Sequence, residues 1–161
     1  MFNQTMTAQD VLAIHWDGTL PVRPEILAKR LGVGVFSRSD MEESGYIYID
    51  ESNQPRIVFN RSEPLVRRRF TVAHELGHYA SGDLMHGQTM WRDTRENFMS
   101  TARNPREVAA NRFAAELLMP AQHVVSAVSH GAVTLPALAE LFQVSEVAMK
   151  YRLLNLGMLR G

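Results

Sequence analysis

The spacing of apolar and polar residues divides the chain into a mixed first part and a longer helical second part. In the first part, Pro24 suits the first turn of a helix and Gly32 suits its end. Segments rich in β-branched and aromatic residues follow, and turn-forming residues separate the last two. The predicted elements are helices at 7–15 and from Pro24 to Gly32, and strands at 33–36, 45–50 and 56–60. The pattern therefore predicts a small antiparallel sheet near the N-terminus.

Apolar residues in the second part recur at helical spacing, and prolines stand at the starts of two of the segments. Residues 84–104 show no clear period, and a loop of that length in a compact domain is often functional or mobile. The predicted helices of this part are 64–82, 105–119, 134–142 and 145–156. The fold class that follows is α+β, mostly helical, with a C-terminal helical pair.

Composition narrows the possible functions. The chain has 161 residues, 45% of them hydrophobic, which is enough for one globular domain. Lys and Arg together number 17, as do Asp and Glu, so no basic field indicates nucleic acid as the main partner. The absence of cysteine excludes thiol nucleophiles and thiolate metal sites. The N-terminal segment has no signal-peptide pattern and no apolar run is long enough for a membrane span, so we expect a soluble cytoplasmic protein without membrane association.

The segment RRRFTVAHELGHYASGD, at residues 67–83, contains the strongest candidate chemistry. On a helix, His74 and His78 project from one side, one turn apart, and both can reach a metal ion. Glu75 points about 100° away from His74, where it can contact a water bound to that metal and take its proton. The pattern predicts a catalytic zinc site; the alternative is a pair of core histidines with satisfied hydrogen bonds.

The third ligand must come from outside this segment. Ser81 and Leu84 occupy the positions at which one common zinc motif continues with glycine and histidine, so that form is excluded. The helix at 105–119 offers Glu107 on its apolar side and Glu116 on its outward side. Because a carboxylate on an apolar face is costly unless it is paired or binds a metal, Glu107 is the expected ligand. The alternative is a carboxylate that the helix dipole favours near a helix start.

The same segment, together with REVAANRFAAELLMP and the tail LAELFQVSEVAMKYRLLNLGM, resembles the ImmA/IrrE family of zinc metallopeptidases over residues 60–158. The resemblance implies a zincin-like, gluzincin-type site in which His74, His78 and Glu107 hold one Zn2+ per chain, with water in the fourth position and Glu75 as the catalytic residue. Many members carry a second glutamate where this chain has Ala109, so Glu107 is the only matching acid.

The resemblance also implies a cytoplasmic endopeptidase whose substrate is a protein partner encoded nearby, often a helix-turn-helix repressor of the Xre type or an antitoxin. Such enzymes act in mobile elements, stress responses or toxin–antitoxin-like pairs. We therefore predict a single metallopeptidase domain over residues 1–161. Its parts are 1–63 (N-terminal helices and small sheet), 64–119 (zinc-site helices) and 120–161 (C-terminal helices).

Three further residues are candidates for substrate binding or for orienting the ligands. Asn111 lies one turn after Glu107 and could orient it or meet substrate, and a structural role is the alternative. Arg67 falls on the histidine side of its helix and could contact an acidic partner, although a solvated face is the common role of a charge run such as Arg67-Arg68-Arg69. His86 could stabilise an oxyanion, and a surface histidine is the alternative.

Two local features concern how the site is assembled. Gly77 and Ser81 give the histidine helix a side of small residues, which would let the Glu107 helix approach closely. Metallopeptidases commonly bind the substrate as an added strand, and the strand near 56–59 is the candidate edge.

Two other functions remain open at this stage. The helices at 134–142 and 145–156 have helix-turn-helix spacing, but Lys150, Arg152 and Asn155 are few contacts for DNA, and direct nucleic-acid binding is not expected. A non-proteolytic regulatory or toxin–antitoxin module with a latent metal site is the other alternative.

Overall fold

The computed structural model describes residues 5–84, 91–93, 104–132 and 134–160, in which seven helices and four strands are found. The helices are α1 (Ala8–His15), α2 (Pro24–Arg30), α3 (Leu65–Ala80), α4 (Pro105–Leu118), α5 (Ala121–Ser129), α6 (Leu135–Phe142) and α7 (Glu146–Asn155). The strands are β1 (Gly34–Arg38), β2 (Gly45–Ile49), β3 (Pro55–Asn60) and β4 (Trp91–Asp93). The predicted α+β class is confirmed. Most of the 84–104 segment, including His86, lies outside the described residues.

The sheet has the strand order β1-β3-β2-β4 and is mixed. The predicted hairpin is present, because β2 pairs antiparallel with β3, and β2 also pairs antiparallel with β4. However, β1 pairs parallel with β3, with Val35 opposite Ile57, so the sheet is mixed where an antiparallel sheet was predicted. The parallel pair arises because the chain leaves β1, forms β2 one place away and then inserts β3 between them. Since β3 is covered on both sides, the proposal that residues 56–59 form a free edge is also wrong.

Helix α3 packs closely against this sheet at a glycine. A Cβ atom at Gly45 of β2 would lie 2.5 Å from Cγ2 of Thr71 and 2.7 Å from the carbonyl oxygen of Val58. Both distances are below van der Waals contact, so only glycine allows β2 to lie this near to α3. This contact fixes the sheet directly beside the helix that carries the two candidate histidine ligands.

Helix α4 crosses α3 at a second glycine. A Cβ atom at Gly77 would lie 3.1 Å from Cβ of Phe113 and 3.2 Å from both Cα and the carbonyl oxygen of Ala110. The close approach predicted from the small residues of α3 is therefore present, and it brings the first turn of α4 to the histidine side of α3.

Two buried arginines attach the C-terminal helical pair to the rest of the fold. Arg69 of α3 donates to the carbonyl oxygens of Val22, Phe142 and Gln143, at 2.6, 3.3 and 3.1 Å. Arg152 of α7 donates from Nε to the carbonyl oxygen of Met119, at 2.9 Å, where α4 has just ended. Arg69 was expected in a solvated charge run and is buried instead. The C-terminal pair is thus packed against both helices that carry candidate ligands.

Helix α5 has no counterpart among the predicted elements. It begins directly after Pro120, and Val124 is its one fully buried residue. Among the described residues, no helix combines the length and the apolar character that crossing a membrane would need.

Candidate metal centre

The site is built on α3, which presents His74 and His78 on one side, one turn apart. Both side chains are fully buried, and their ring centroids are 4.9 Å apart with the rings nearly perpendicular. Phe70, one turn before His74, stacks against its ring at 6.5 Å between centroids. The helix itself follows from the sequence, because Pro64 precedes its first turn and its apolar residues recur at helical spacing.

Glu107 reaches the two histidines from the first turn of α4. Its Oε2 lies 2.9 Å from Nε2 of His74, and its Oε1 lies 3.0 Å from Nε2 of His78. Asn104 caps this helix by accepting a hydrogen bond from the backbone N–H of Arg106, which fixes the turn that carries Glu107. Glu116, the other acid of the helix, accepts a hydrogen bond from Gln9 instead. The structure therefore brings Glu107, and not Glu116, to the two histidines.

Each histidine is oriented through its other ring nitrogen. Nδ1 of His74 lies 2.8 Å from Oδ1 of Asn111, and Nδ1 of His78 lies 2.8 Å from Oδ2 of Asp83. Amide and carboxylate oxygens accept hydrogen bonds, so each Nδ1 must donate and carry a proton. As a result, Nε2 of each ring is the atom available for a metal ion.

Asp83 was not identified from the sequence. The chain turns at Gly82, which has a φ of 75°, and the backbone N–H of Asp83 then donates to the carbonyl oxygen of His78 at 3.1 Å. This turn returns the Asp83 side chain to His78. The sequence did contain a signal for this contact, namely an acidic residue directly after the glycine at the end of the helix that carries both histidines. Asn111 was identified, and its contact in the structure is with His74 rather than with Glu107.

The charges of the ligand cluster depend strongly on one another. Burial by itself lowers the pKa of His78, but the carboxylates of Asp83, Glu107 and Glu75 raise it to about 10. Burial raises the pKa of Glu107, but its close contacts with His74 and His78 lower it to about 2. At neutral pH and without a metal ion, His78 is therefore a cation that is ion-paired with Glu107. A divalent cation bound here would replace that proton.

Glu75 is fully buried on α3, directly after His74. Its negative charge is close enough to His78 to raise the pKa of that imidazole. The sequence prediction that Glu75 lies beside the ligands is consistent with this interaction.

The remaining predicted residues differ in their positions. Arg67 has an ion pair with Glu63, which lies just before α3, at 3.1 Å from Nε to Oε2. Glu63 is buried and also accepts a hydrogen bond from Ser44. Arg67 is therefore held at the start of α3, nearly two turns before His74. His86 lies outside the described residues.

The donor set fits a divalent metal ion. One ligand atom from each of His74, His78 and Glu107 lies within 4.8 Å of the other two, and all three residues are buried. Two imidazoles and one carboxylate are the protein ligands of many catalytic zinc sites, which leave a further coordination position for water or substrate. The hydrogen bonds that the two histidines donate to Asn111 and Asp83 supply the outer contacts that such histidine ligands require.

Comparison with known proteins gives one family match. The model of peptidase family M78, described as the IrrE N-terminal-like domain, matches residues 28–154, which is well over half of the chain. The matched range includes β1 to β4, both helices that carry candidate ligands and most of the C-terminal pair. No curated protein matches the chain.

Proposed function

The chain belongs to the IrrE N-terminal-like family of peptidases, the ImmA/IrrE family, and from this premise we propose that it is a zinc-dependent endopeptidase that cleaves a protein partner. The observation that carries the proposal is the convergence of His74, His78 and Glu107, three buried residues from two helices, on one point. Charged and polar side chains are seldom buried together unless they are paired or bind an ion.

Zinc bound at these residues would act as a Lewis acid that polarises the scissile carbonyl group and makes water more acidic. Glu75 then performs the proton transfers. Its carboxylate accepts a proton from the water that attacks the carbonyl carbon and delivers that proton to the amide nitrogen as the carbon–nitrogen bond breaks. Burial of Glu75 keeps its carboxylate out of bulk solvent, which suits a group that must exchange protons with the reacting atoms.

Asn111 and Asp83 keep the ligands in place during these steps. By accepting hydrogen bonds from the Nδ1 atoms of His74 and His78, they prevent the two rings from rotating. The negative charge of Asp83 also increases the basicity of the His78 ring. Neither residue needs to contact the substrate for this role.

The proposed substrate is a protein encoded near this chain, a helix-turn-helix repressor of the Xre type or an antitoxin, as the family resemblance suggests. A peptide in an extended conformation can add to the outer strand of a sheet. In the sheet formed by the described residues the outer strands are β1 and β4, and β4 pairs with β2, the strand that contacts α3 at Thr71. We place the substrate strand on the β4 side for this reason.

The test is incubation of the purified protein with the product of the adjacent gene, with and without a chelator. We expect a defined fragment that disappears with the chelator and returns with Zn2+. Metal analysis should give about one zinc per chain, lost in His74→Ala. Glu75→Gln should keep the zinc and abolish cleavage, because the amide cannot accept the proton. If Glu75→Gln leaves the biological activity intact, the chain is instead a non-proteolytic module with a latent metal site.

A further inference from the structure

A groove of about 690 Å3 lies on a different side of α3 from the candidate metal centre. Its walls come from the segment around Leu20 and Pro21, from Phe59 of β3, from α3 and from the end of α6. Arg68 and Val72 are on the groove side of α3, whereas His74 and His78 face Glu107. A volume of this size is typical of sites for small molecules.

The groove combines an apolar wall with a cationic one. Its apolar residues are Leu20, Pro21, Phe59, Leu65, Val72 and Leu141. Leu65 and Leu141 remain half exposed, so part of this apolar surface stays in contact with water. An apolar body bound in the groove would cover it.

Arg68 supplies a hydrogen-bond donor with no acceptor. Its Nε atom is buried and has no hydrogen-bond partner among the described residues. The neighbouring Arg69 differs, since its guanidinium already donates to three backbone carbonyls. A buried donor on a charged group is costly when it lacks a partner, and such a group commonly marks the position of an ion or water. Arg68 thus offers the groove a donor that a ligand can satisfy.

The charges around the groove match an anion with a single charge. Three arginines line it, Arg23, Arg68 and Arg69, against two glutamates, Glu25 and Glu140. The excess of one positive charge favours a carboxylate over a phosphate with two negative charges, which Glu25 and Glu140 would repel. A guanidinium also binds the two oxygens of a carboxylate in a fixed, planar arrangement.

From these observations we propose that the groove binds a small carboxylic acid with an apolar body. The carboxylate pairs with the guanidinium of Arg68, whose Nε donor is otherwise unsatisfied, and the apolar body lies on Leu65, Val72 and Leu141. Such a ligand would contact the N-terminal segment, α3 and the end of α6 together, so it would stabilise the attachment of the C-terminal pair to α3. The inference does not depend on the proposed peptidase activity.

The experiment is an NMR titration of the full chain with octanoate, following the methyl groups. We expect saturable shifts at Leu65, Val72 and Leu141, with the same affinity in zinc-loaded and chelator-treated protein. 1-Octanol, which lacks the charge, and inorganic phosphate, which lacks the apolar body, should bind at least about tenfold more weakly. Loss of octanoate binding on chelation would mean that the carboxylate binds to the metal, and equal binding of 1-octanol would mean that Arg68 has no part; either result overturns the proposal.

Substitutions of charged residues test where in the groove the carboxylate binds. Arg68→Gln should weaken octanoate binding at least about tenfold. Arg112→Gln, which removes the same charge at an exposed position of α4, should leave it unchanged. Glu140→Gln keeps all three arginines and should tighten binding, because it removes a repulsive charge from the rim. If Arg68→Gln proves unstable, the affinity of Glu140→Gln for octanoate tests the proposal instead. Unchanged affinity in both Arg68→Gln and Glu140→Gln would overturn the proposal.

Discussion

At the scale of single residues, Asp83 and Asn111 decide which nitrogen of each histidine faces Glu107. Asp83→Asn keeps the size of the side chain but removes the charge that holds the proton on Nδ1 of His78. We expect the affinity for zinc to fall by about 10- to 100-fold, because such outer contacts orient the ligand and raise its basicity. A competition titration with a chromophoric chelator measures this change.

The matched control is Asp40→Asn, which removes the same charge from an exposed ion pair with Arg38. It should leave zinc affinity unchanged. Equal affinities for the wild type and Asp83→Asn would show that the contact between Asp83 and His78 does not orient the ligand.

The pKa of His78 makes metal binding dependent on pH. Because its pKa is raised to about 10 without metal, zinc must displace a proton from His78, while Glu107, with a pKa of about 2, is already ionised. We expect zinc affinity to rise roughly tenfold per pH unit between about pH 6.5 and 9. Titration calorimetry in buffers with different ionisation enthalpies should show the release of one proton per zinc; no release would contradict this account.

The stability of the metal-free protein should also depend on pH, through the ionisation of His78 and of Glu107. The raised pKa of His78 stabilises the folded state fully below its unperturbed value of 6.5, and this contribution is lost as the pH rises through about 10. The lowered pKa of Glu107 stabilises the folded state above 4.5, and that contribution is lost as the pH falls through about 2. Both contributions are complete between these two unperturbed values, so alkaline pH weakens the metal-free fold while it strengthens metal binding.

At the scale of elements, the site depends on how closely α4 approaches α3 at Gly77. Gly77→Ala would place a methyl group 3.1 Å from Cβ of Phe113 and 3.2 Å from the backbone of Ala110, so α4 must move away and carry Glu107 with it. Alanine gains up to about 1 kcal/mol in helix propensity, and overpacking costs about 1–3 kcal/mol. We therefore expect a modest loss of stability and a larger loss of zinc affinity.

Chemical denaturation and metal titration of the same variant separate these two effects. The control is Ala109→Ser, which adds one atom, about the size of the methyl group in Gly77→Ala, at an exposed position of α4. It should change neither the stability nor the zinc affinity. If Gly77→Ala binds zinc as tightly as the wild type, the spacing of the two helices does not control the site.

The elements that carry the site were predictable because their local signals are strong. Prolines and glycines mark the ends of α2, α3 and α4, and helical periodicity alone placed Glu107 on the apolar side of α4. Strand order was not predictable, since it depends on contacts between residues far apart in sequence, such as Val35 and Ile57. Asp83 escaped prediction because its position results from the turn at Gly82 rather than from a helical period.

Helix α5 could not be predicted from the sequence for a different reason. Its segment AQHVVSAVS contains three valines, which are β-branched and favour strands, so local propensity does not indicate a helix. The contact of Trp16 with His123, at 4.7 Å between ring centroids, and the burial of Val124 supply tertiary packing that overrides this preference.

At the scale of the whole molecule, the arrangement of charge bears on the alternative of DNA binding. The chain has no net charge, and Arg152, one of the few basic residues on the second helix of the C-terminal pair, is buried against Met119. The outward side of that helix presents Val147 and Tyr151, both about two-thirds exposed, beside Glu146 and Lys150. Because Lys150 is the one basic side chain that this helix exposes, the helix offers little to phosphate groups, which supports a packing role for the pair over DNA recognition.

Arg69 provides the test of whether the chain unfolds as one unit, as the prediction of a single domain over residues 1–161 requires. Its guanidinium satisfies carbonyl oxygens of the N-terminal segment and of the end of α6 from its position on α3. Burial lowers the pKa of Arg69, which shows that its charge is costly in this place, so Arg69→Met recovers part of that cost. Three carbonyls left without a donor outweigh this gain, and we expect a net loss of about 2–4 kcal/mol.

Urea unfolding followed by far-UV circular dichroism measures this loss, with Arg112→Met as the control at an exposed position. The wild type should show one transition, and Arg69→Met should shift it to lower urea without splitting it, because Arg69 contacts both ends of the fold at once. Two separate transitions in the wild type would show that the C-terminal pair folds independently of the helices that carry His74 and Glu107. A shift below about 0.5 kcal/mol in Arg69→Met would show that other contacts hold the pair in place.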